Sequence, residues 1–440
     1  MNGPPAHRLP GSGRTLSVIH ADLVVHSASA VVTCDGDPAQ GPDAALGIRP
    51  GAAVAARGGR IVWIGPQERL AHEVLDLPSA VDVDARGGIV TPGFVDAHTH
   101  VVFAGDRARE FSLRCGGASY QELLAAGGGI LSTVRATRAA SERELAELAI
   151  PRLRRLVAEG VTTVEIKSGY GLTVEDELET LRAARDAARE VGLGWVGTAL
   201  PLHALPPDAG DRAAWIDRML EGLLPAVASE GLAAFADAFV EKGAFTPDEA
   251  RRLAAAARAN GLGVRLHVDQ LSAGGGAELA AELGAATADH LEEVSQEGLR
   301  ALARAGVAAT LVPISTLYLK CPRYAPGRAL ADAGVRLALG SNCNPGSAMT
   351  ESFSLALSLA CLGNGLSASE AFLAATAGGA DALGLADRGR LREGLRADLV
   401  VHGARSVEHL AYHLATRHAR VVISGGRVLH EDPGLPPVCV

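Results

Sequence analysis

Two histidines stand one residue apart in the stretch Thr91-Pro-Gly-Phe-Val-Asp-Ala-His-Thr-His100. In an extended backbone alternate side chains share a face, so His98 and His100 point the same way and Thr99 points opposite. Two imidazoles converging from the end of a buried strand make half a metal site. The plain alternative is a pair of hydrogen-bonded core histidines, and the rest of the chain decides between them. Further polar groups follow apolar runs: Lys167-Ser-Gly-Tyr-Gly171, His203, Glu241, His267-Val-Asp-Gln270, Asp289-His290 and Ser341-Asn-Cys-Asn-Pro-Gly346. A catalytic zinc or iron needs about three protein ligands and an open position for water. His98, His100 and His267 supply three imidazoles, with His203 and His290 beside them to move protons.

These residues need a scaffold that brings distant segments to one mouth. From Ile89 onward apolar strands alternate with helical text. The strand candidates are Ile89–His98, Val161–Lys167, Trp195–His203, Ala233–Val240, Val264–Val268, Ala285–His290, Ala308–Val312 and Val335–Gly340. Between them, Glu142–Glu159 and Glu175–Glu190 carry apolar residues at helical spacing, and Thr246-Pro-Asp-Glu opens a helix over Pro247–Asn260. The strands read as continuous apolar runs, as parallel strands buried on both faces do. Eight strand–helix units predict a (β/α)8 TIM-type barrel over residues 89–384, whose chemistry sits at the C-terminal strand ends. Five of the 14 histidines fall there, which favours a shared site over five separate core histidines.

Both ends of the chain read differently. Residues 1–14 form a Pro- and Gly-rich lead-in expected to be disordered. Residues 15–88 and 385–440 hold short β-like runs punctuated by Gly, Pro and Asp, expected to pair into one composite β-sandwich-like domain. A net charge of −9 argues against a nucleic-acid-binding surface. No apolar run reaches membrane-span length, and no signal-peptide core precedes the first strand. Six scattered cysteines without a Cys-x-x-Cys pair fit reduced thiols in the cytoplasm.

The stretch Pro92-Gly-Phe-Val-Asp-Ala-His-Thr-His100, with His267 and His290, resembles the amidohydrolase superfamily. Further segments narrow the likeness to its imidazolonepropionase family: Phe103-Ala-Gly-Asp-Arg-Ala-Arg-Glu110, Gly127-Gly-Gly-Ile-Leu-Ser-Thr-Val134, Glu165-Ile-Lys-Ser-Gly-Tyr-Gly-Leu172, Leu202-His-Ala-Leu-Pro-Pro-Asp208 and Asn344-Pro-Gly-Ser347. The resemblance runs from about Leu16 to the C-terminus. It implies hydrolysis of the ring amide of 4-imidazolone-5-propanoate to N-formimidoyl-L-glutamate, a step of histidine degradation. It also implies one zinc or iron ion on His98, His100 and His267, and substrate contacts from Arg107, Tyr170, His203, Gln270, Asn344, Gly346 and Ser347. Arg107 suits a propanoate carboxylate, which favours a fork of N–H donors. Tyr170 is a better substrate contact than Tyr120, and Lys167 reads as structural rather than as a metal bridge. A homodimer is the ordinary assembly for such an enzyme.

One position departs from the family pattern, which has Thr-Asp ahead of Asn-Pro-Gly where this chain has Ser341-Asn342. The Asp is the fourth metal contact and general base; an Asn amide accepts no proton and is a poor ligand. Either His290 takes the proton while Asn342 orients the water, or the site binds ligand and turns over little. Asp269 and Asp289 are weaker candidates for the base. Another amidohydrolase activity, such as nucleobase deamination or hydrolysis of a different cyclic amide, shares the metal histidines but gives Arg107 and Lys167-Ser-Gly-Tyr-Gly171 no purpose.

Overall fold

The computed structural model describes residues 18–117 and 128–434. The expected lead-in (residues 1–14), Tyr120, Gly127 and Cys439 lie outside the described residues. The chain divides into two compact units. One comprises residues up to Gly93, Asp387–His409 and the segment from His418 on; the other comprises Phe94–Ala386 and Leu410–Arg417.

The second unit is a parallel eight-stranded barrel whose strands neighbour one another in chain order. They are β1 (Phe94–Asp96), β2 (Val161–Lys167), β3 (Gly194–Leu202), β4 (Phe235–Val240), β5 (Gly263–Val268), β6 (Thr287–His290), β7 (Ala308–Leu311) and β8 (Leu337–Leu339). The (β/α)8 expectation holds. Backbone bonds bring the two edges together: Ala97 N–H donates to Leu339 O at 3.1 Å, and Asn342 N–H to His98 O at 2.9 Å.

The helical text forms as its signals dictate. Ser141 and Thr246 each close a capping box, with Glu144 and Glu249, at the starts of helices Glu142–Ala158 and Pro247–Ala259. Helix Val174–Val191 turns Ala183, Ala184, Ala187 and Ala188 inward, all fully buried. Such small contact residues account for a core built with few aromatics.

Two features differ from the sequence reading. The run Ile89–His98 is not one strand. It breaks at Gly93, so Ile89–Pro92 belongs to a sheet of the first unit and only Phe94–Asp96 to the barrel. His98 and His100 therefore lie beyond the strand, in irregular backbone. The barrel interior is also not apolar throughout. Alternation along β2 places Thr163, Glu165 and Lys167 on one face, and these join Asp237, Arg265 and Asp289 in a fully buried charged layer.

The first unit contains a four-stranded and a six-stranded sheet. In the six-stranded sheet, Leu399–His402 pairs antiparallel with Ile89–Pro92, which runs parallel to Ala30–Val32. The chain ends thus share a sheet. One strand, Val74–Asp84, runs through Pro78 and three aspartates; it forms as the parallel partner of Ile19–His26. Among the described residues no helix is long and apolar enough to cross a membrane.

His402 is buried in the six-stranded sheet, its Nε2 at 2.9 Å from the hydroxyl of Thr91, which donates to Pro92 O. Burial, and secondarily the proximity of His418, push its pKa down to about 3. The unfolded histidine gains a proton below about pH 6.5, while the folded one resists until about 3. Native stability is therefore complete above that window and falls as the pH drops through it. Urea unfolding at about pH 7 and about pH 5 should show this loss, and His402→Gln, which keeps an N–H for Thr91, should lessen it. An unchanged pH slope in the variant would contradict burial of His402 as a cause.

Candidate active site

The strand ends bring five imidazoles together, four of them on the wall of one cavity and His98 buried behind them. His98 and His100 come from the turn after β1, His203 from the end of β3, His267 from β5 and His290 from β6. His98 Nε2 lies 3.3 Å from His100 Nε2, which lies 3.4 Å from His267 Nε2. A ligand atom from each of His98, His267 and His290 falls within 4.8 Å of the others.

For His98 and His267 the far side of the ring fixes which nitrogen is bare. His98 Nδ1–H donates to Asp289 Oδ2 at 2.7 Å. His267 Nδ1 faces Asp237 Oδ2 at 3.0 Å, with its N–H angled off the oxygen. A proton held on Nδ1 leaves the Nε2 lone pair uncovered. Desolvation is the leading cause that holds His98, His100 and His267 below the usual histidine pKa, so all three are neutral at pH 7.

With lone pairs on all three Nε2 atoms, spacings of 3.3–3.4 Å are favourable only around a cation. A tetrahedral zinc site with arms of about 2.0–2.1 Å has edges of about 3.3–3.4 Å. The donor set therefore fits a single small transition-metal ion.

Beneath the rings lies a buried ionic lattice. Lys167 Nζ contacts Glu165 Oε1 at 2.8 Å, Asp237 Oδ2 at 2.9 Å and Asp289 Oδ2 at 3.4 Å. Arg265 Nη2 donates to Asp289 Oδ2 at 3.0 Å and to Ala97 O at 2.8 Å. Burial and Arg265 both oppose the charge on Lys167, yet Asp237, Glu165 and Asp289 together hold its pKa above normal. Burial opposes the charge on Asp289 as well, and Arg265 and Lys167 overcome it, leaving a firm carboxylate. Lys167 is thus an ammonium locked in ion pairs, matching the structural role read from the sequence.

The cavity opens to solvent and holds about 330 Å3 of space, lined by His100, Tyr170, His203, Phe239, His267, Gln270, His290, Asn342, Asn344 and Ser347. His203 stacks on His100 with ring centres 5.2 Å apart, and its Nδ1–H donates to Gly169 O. Burial brings its pKa down to about 4. Tyr170 packs against the same two rings.

Of the expected substrate contacts, Tyr170, His203, Gln270, Asn344 and Ser347 reach the cavity wall. Asn344 also organises its own loop, its Oδ1 accepting the N–H groups of Gly346 and Ser347 at 2.8 Å. Arg107 and Gly346 are not part of that lining and touch each other: a Cβ on Gly346 would collide with Arg107 Nη1.

Asn342 has φ 54°, and its buried Oδ1 has no hydrogen-bond partner among the described residues. Its Nδ2 is 3.5 Å from Ser347 Oγ. It therefore presents a bare acceptor to the cavity.

The weaker base candidates have other work. Asp289 holds His98, while Asp269 accepts the N–H groups of Gly274, Gly276 and Ala277. Sequence reading missed Asp237 and Arg265 as supports of the site, and Phe239 as part of its wall. Arg265 stands at period two from His267, and Asp237 and Phe239 stand at period two from Glu241 at the end of β4; apolar-run counting passes over such residues.

Gly340 shows how tightly His98 is seated. A Cβ there would lie 2.6 Å from His98 Cβ and 3.0 Å from its N. Five of the ten non-glycine residues with positive φ among the described residues cluster at these strand ends: Leu172, Asp269, His290, Leu291 and Asn342. Backbone strain concentrated around one mouth is a mark of a functional site.

The model of the amidohydrolase family matches residues 89–429. The imidazolonepropionase of Myxococcus xanthus (strain DK1622) is 55% identical over 408 residues, covering 92% of this chain and 97% of that protein. That of Symbiobacterium thermophilum is 47% identical, covering 93% and 98%. Two solved structures share the fold at lower identity. An adenosine deaminase from Xanthomonas campestris with bound zinc gives a TM-score of 0.68 at 19% identity, covering 94% of this chain and 93% of that one. Atrazine chlorohydrolase from Arthrobacter aurescens TC1, complexed with zinc, gives 0.66 at 20%, covering 93% and 95%. With a family model over most of its length and relatives above half identity along nearly all of it, this chain belongs to the amidohydrolase family, among the imidazolonepropionases.

Proposed function

We propose that this chain hydrolyses the ring amide of 4-imidazolone-5-propanoate to N-formimidoyl-L-glutamate, in the cytoplasm and as a homodimer. The observation that carries the reading is the convergence of three bare Nε2 atoms at metal-ligand spacing below a cavity walled by Tyr170, His203, Gln270 and Ser347. The cytoplasmic assignment is supported by Cys115, Cys321, Cys343 and Cys361, none of them in a disulfide.

His98, His100 and His267 would hold one divalent ion, zinc or iron, which three-histidine sites accept alike. When bound, the ion supplies Lewis acidity and makes water a nucleophile near neutral pH.

Arg107 takes the propanoate carboxylate, with Gly346 leaving room for the guanidinium. Tyr170 and His203 pack on the heterocycle, and the bare Nε2 of His203 accepts an N–H of the ring. Gln270, Asn344 and Ser347 meet its polar edge. The bare Oδ1 of Asn342 accepts one hydrogen of the attacking water and aims its oxygen. Water oxygen adds to the ring carbonyl carbon while His290 takes the proton. The carbon–nitrogen bond then breaks, and His290 returns the proton to the departing nitrogen. Asn342 contributes orientation, whereas an Asp there would contribute basicity.

Loss of imidazolone absorbance with fresh substrate should show turnover, while purine and pyrimidine bases should give none. Absent turnover, or deamination of a base, would sink the assignment. His290→Asn should lower kcat by about 10²–10⁴-fold, the usual weight of general base catalysis, with metal content retained. A kcat within about threefold of the parent would remove His290 from that role. For Asn342→Asp, the expected result is a rate equal to or below the parent's. Activity appearing only in this variant would instead mark the parent as a binding protein without turnover.

A further inference from the structure

Two stretches of the sequence remain without a task in this reaction: Glu110, three residues past Arg107, and the triple glycine before Ile130. In the structure Glu110 meets the last of these glycines, Gly129. Arg107 Nε donates to Glu110 Oε2 at 2.9 Å, and Arg107 Nη2 donates to Glu110 Oε1. Gly129 N–H donates to the same Oε2 at 2.7 Å. One bidentate edge of the guanidinium is thus held by Glu110, and Glu110 in turn by a backbone amide.

The remaining corner, Nη1, rests over Gly346. Gly346 is held from its other side, where Arg114 Nη1 donates to its carbonyl at 3.3 Å while the Arg114 guanidinium lies 4.8 Å from the Tyr318 ring centre. Gly346 belongs to the Asn344–Ser347 loop, whose ends line the cavity. A guanidinium is planar, so fixing the Nε–Nη2 edge fixes where Nη1 points. Gly129 has φ 82° and ψ −175°, a conformation open to glycine and scarcely to other residues. The glycine is therefore required for its N–H to face Glu110.

We propose that Glu110 is a positioning residue for substrate recognition: it clamps the Nε–Nη2 edge of Arg107 so that the Nη1 corner meets the substrate's propanoate carboxylate, and the Gly128-Gly129 turn orients the clamp. This rests on the reading of Arg107 as the carboxylate contact and deepens it. Glu110 sets specificity for an acidic side chain through Arg107 and touches no reacting atom.

The test compares the parent enzyme with Glu110→Gln on 4-imidazolone-5-propanoate and on its propanamide counterpart. Gln keeps the size but sets an NH2 against a donor, so the double bond to Arg107 or the link to Gly129 breaks. KM for the propanoate should rise about tenfold, the usual weight of one charge-assisted hydrogen bond, with kcat changed less than about threefold. Glu110→Asp should fall between, and kcat/KM for the propanamide should be the same in parent and variant. Gly129→Ala, which leaves both charges in place, should raise KM in the same direction. A propanoate KM within about twofold of the parent in Glu110→Gln, or equal losses on propanoate and propanamide, would overturn the proposal. A parent enzyme that turns over neither compound would overturn the underlying reading, and this proposal with it.

Discussion

Everything at this barrel mouth depends on where two protons sit. Asp289 takes the Nδ1–H of His98, and Asp237 faces the Nδ1 of His267. Each carboxylate thereby leaves an Nε2 lone pair bare and turned toward His100. Bringing such lone pairs to 3.3–3.4 Å is unfavourable for the protein alone and favourable around a cation. The carboxylates stay ionised in a dry interior because Lys167 and Arg265 stand against them, and those cations are tolerable only because the carboxylates are there. The lattice is one interdependent unit. It rests on rigid strands, with Glu165 and Lys167 from β2, Asp237 from β4, Arg265 from β5 and Asp289 from β6.

Above the lattice the structure changes character. Rings from the strand ends stack on one another, and the loops beyond them carry positive φ at Asp269, His290, Leu291 and Asn342. Strain of this kind survives only where surrounding contacts over-determine it. Here the contacts are specific: Asn342 N–H to His98 O, Asp269 to three loop amides, and Gly340 flush against His98. The placement of the metal-ligating rings and the shape of the substrate loops thus come from different layers of the same barrel.

Much of this was legible in the residues. The eight strand–helix units are plain because continuous apolar runs and capping signals such as Thr246-Pro-Asp-Glu249 are local properties. The five strand-end histidines were found by position, since a barrel turns chain order into spatial convergence. Three things were not legible. The break at Gly93 was read as punctuation within a strand, because whether a Pro-Gly pair ends a strand depends on which sheet each side joins. The lattice was hidden because Glu165, Asp237 and Arg265 sit inside apolar text, and only the barrel reveals that they face one another. Val74–Asp84 is a strand by virtue of its partner, not its composition. The part played by Asn342 lies between: its type was plain from the sequence, its unpartnered Oδ1 only from the fold.

The central claim is that two buried carboxylates turn His98 and His267 so that their Nε2 atoms meet that of His100 at one point in space. Titrating the metal-free protein with cobalt(II) while recording its visible spectrum tests this most directly. The account predicts saturation at one ion per chain with the intense bands of a four-coordinate, nitrogen-rich site. Saturation at two ions, or the weak spectrum of a six-coordinate ion, would contradict it.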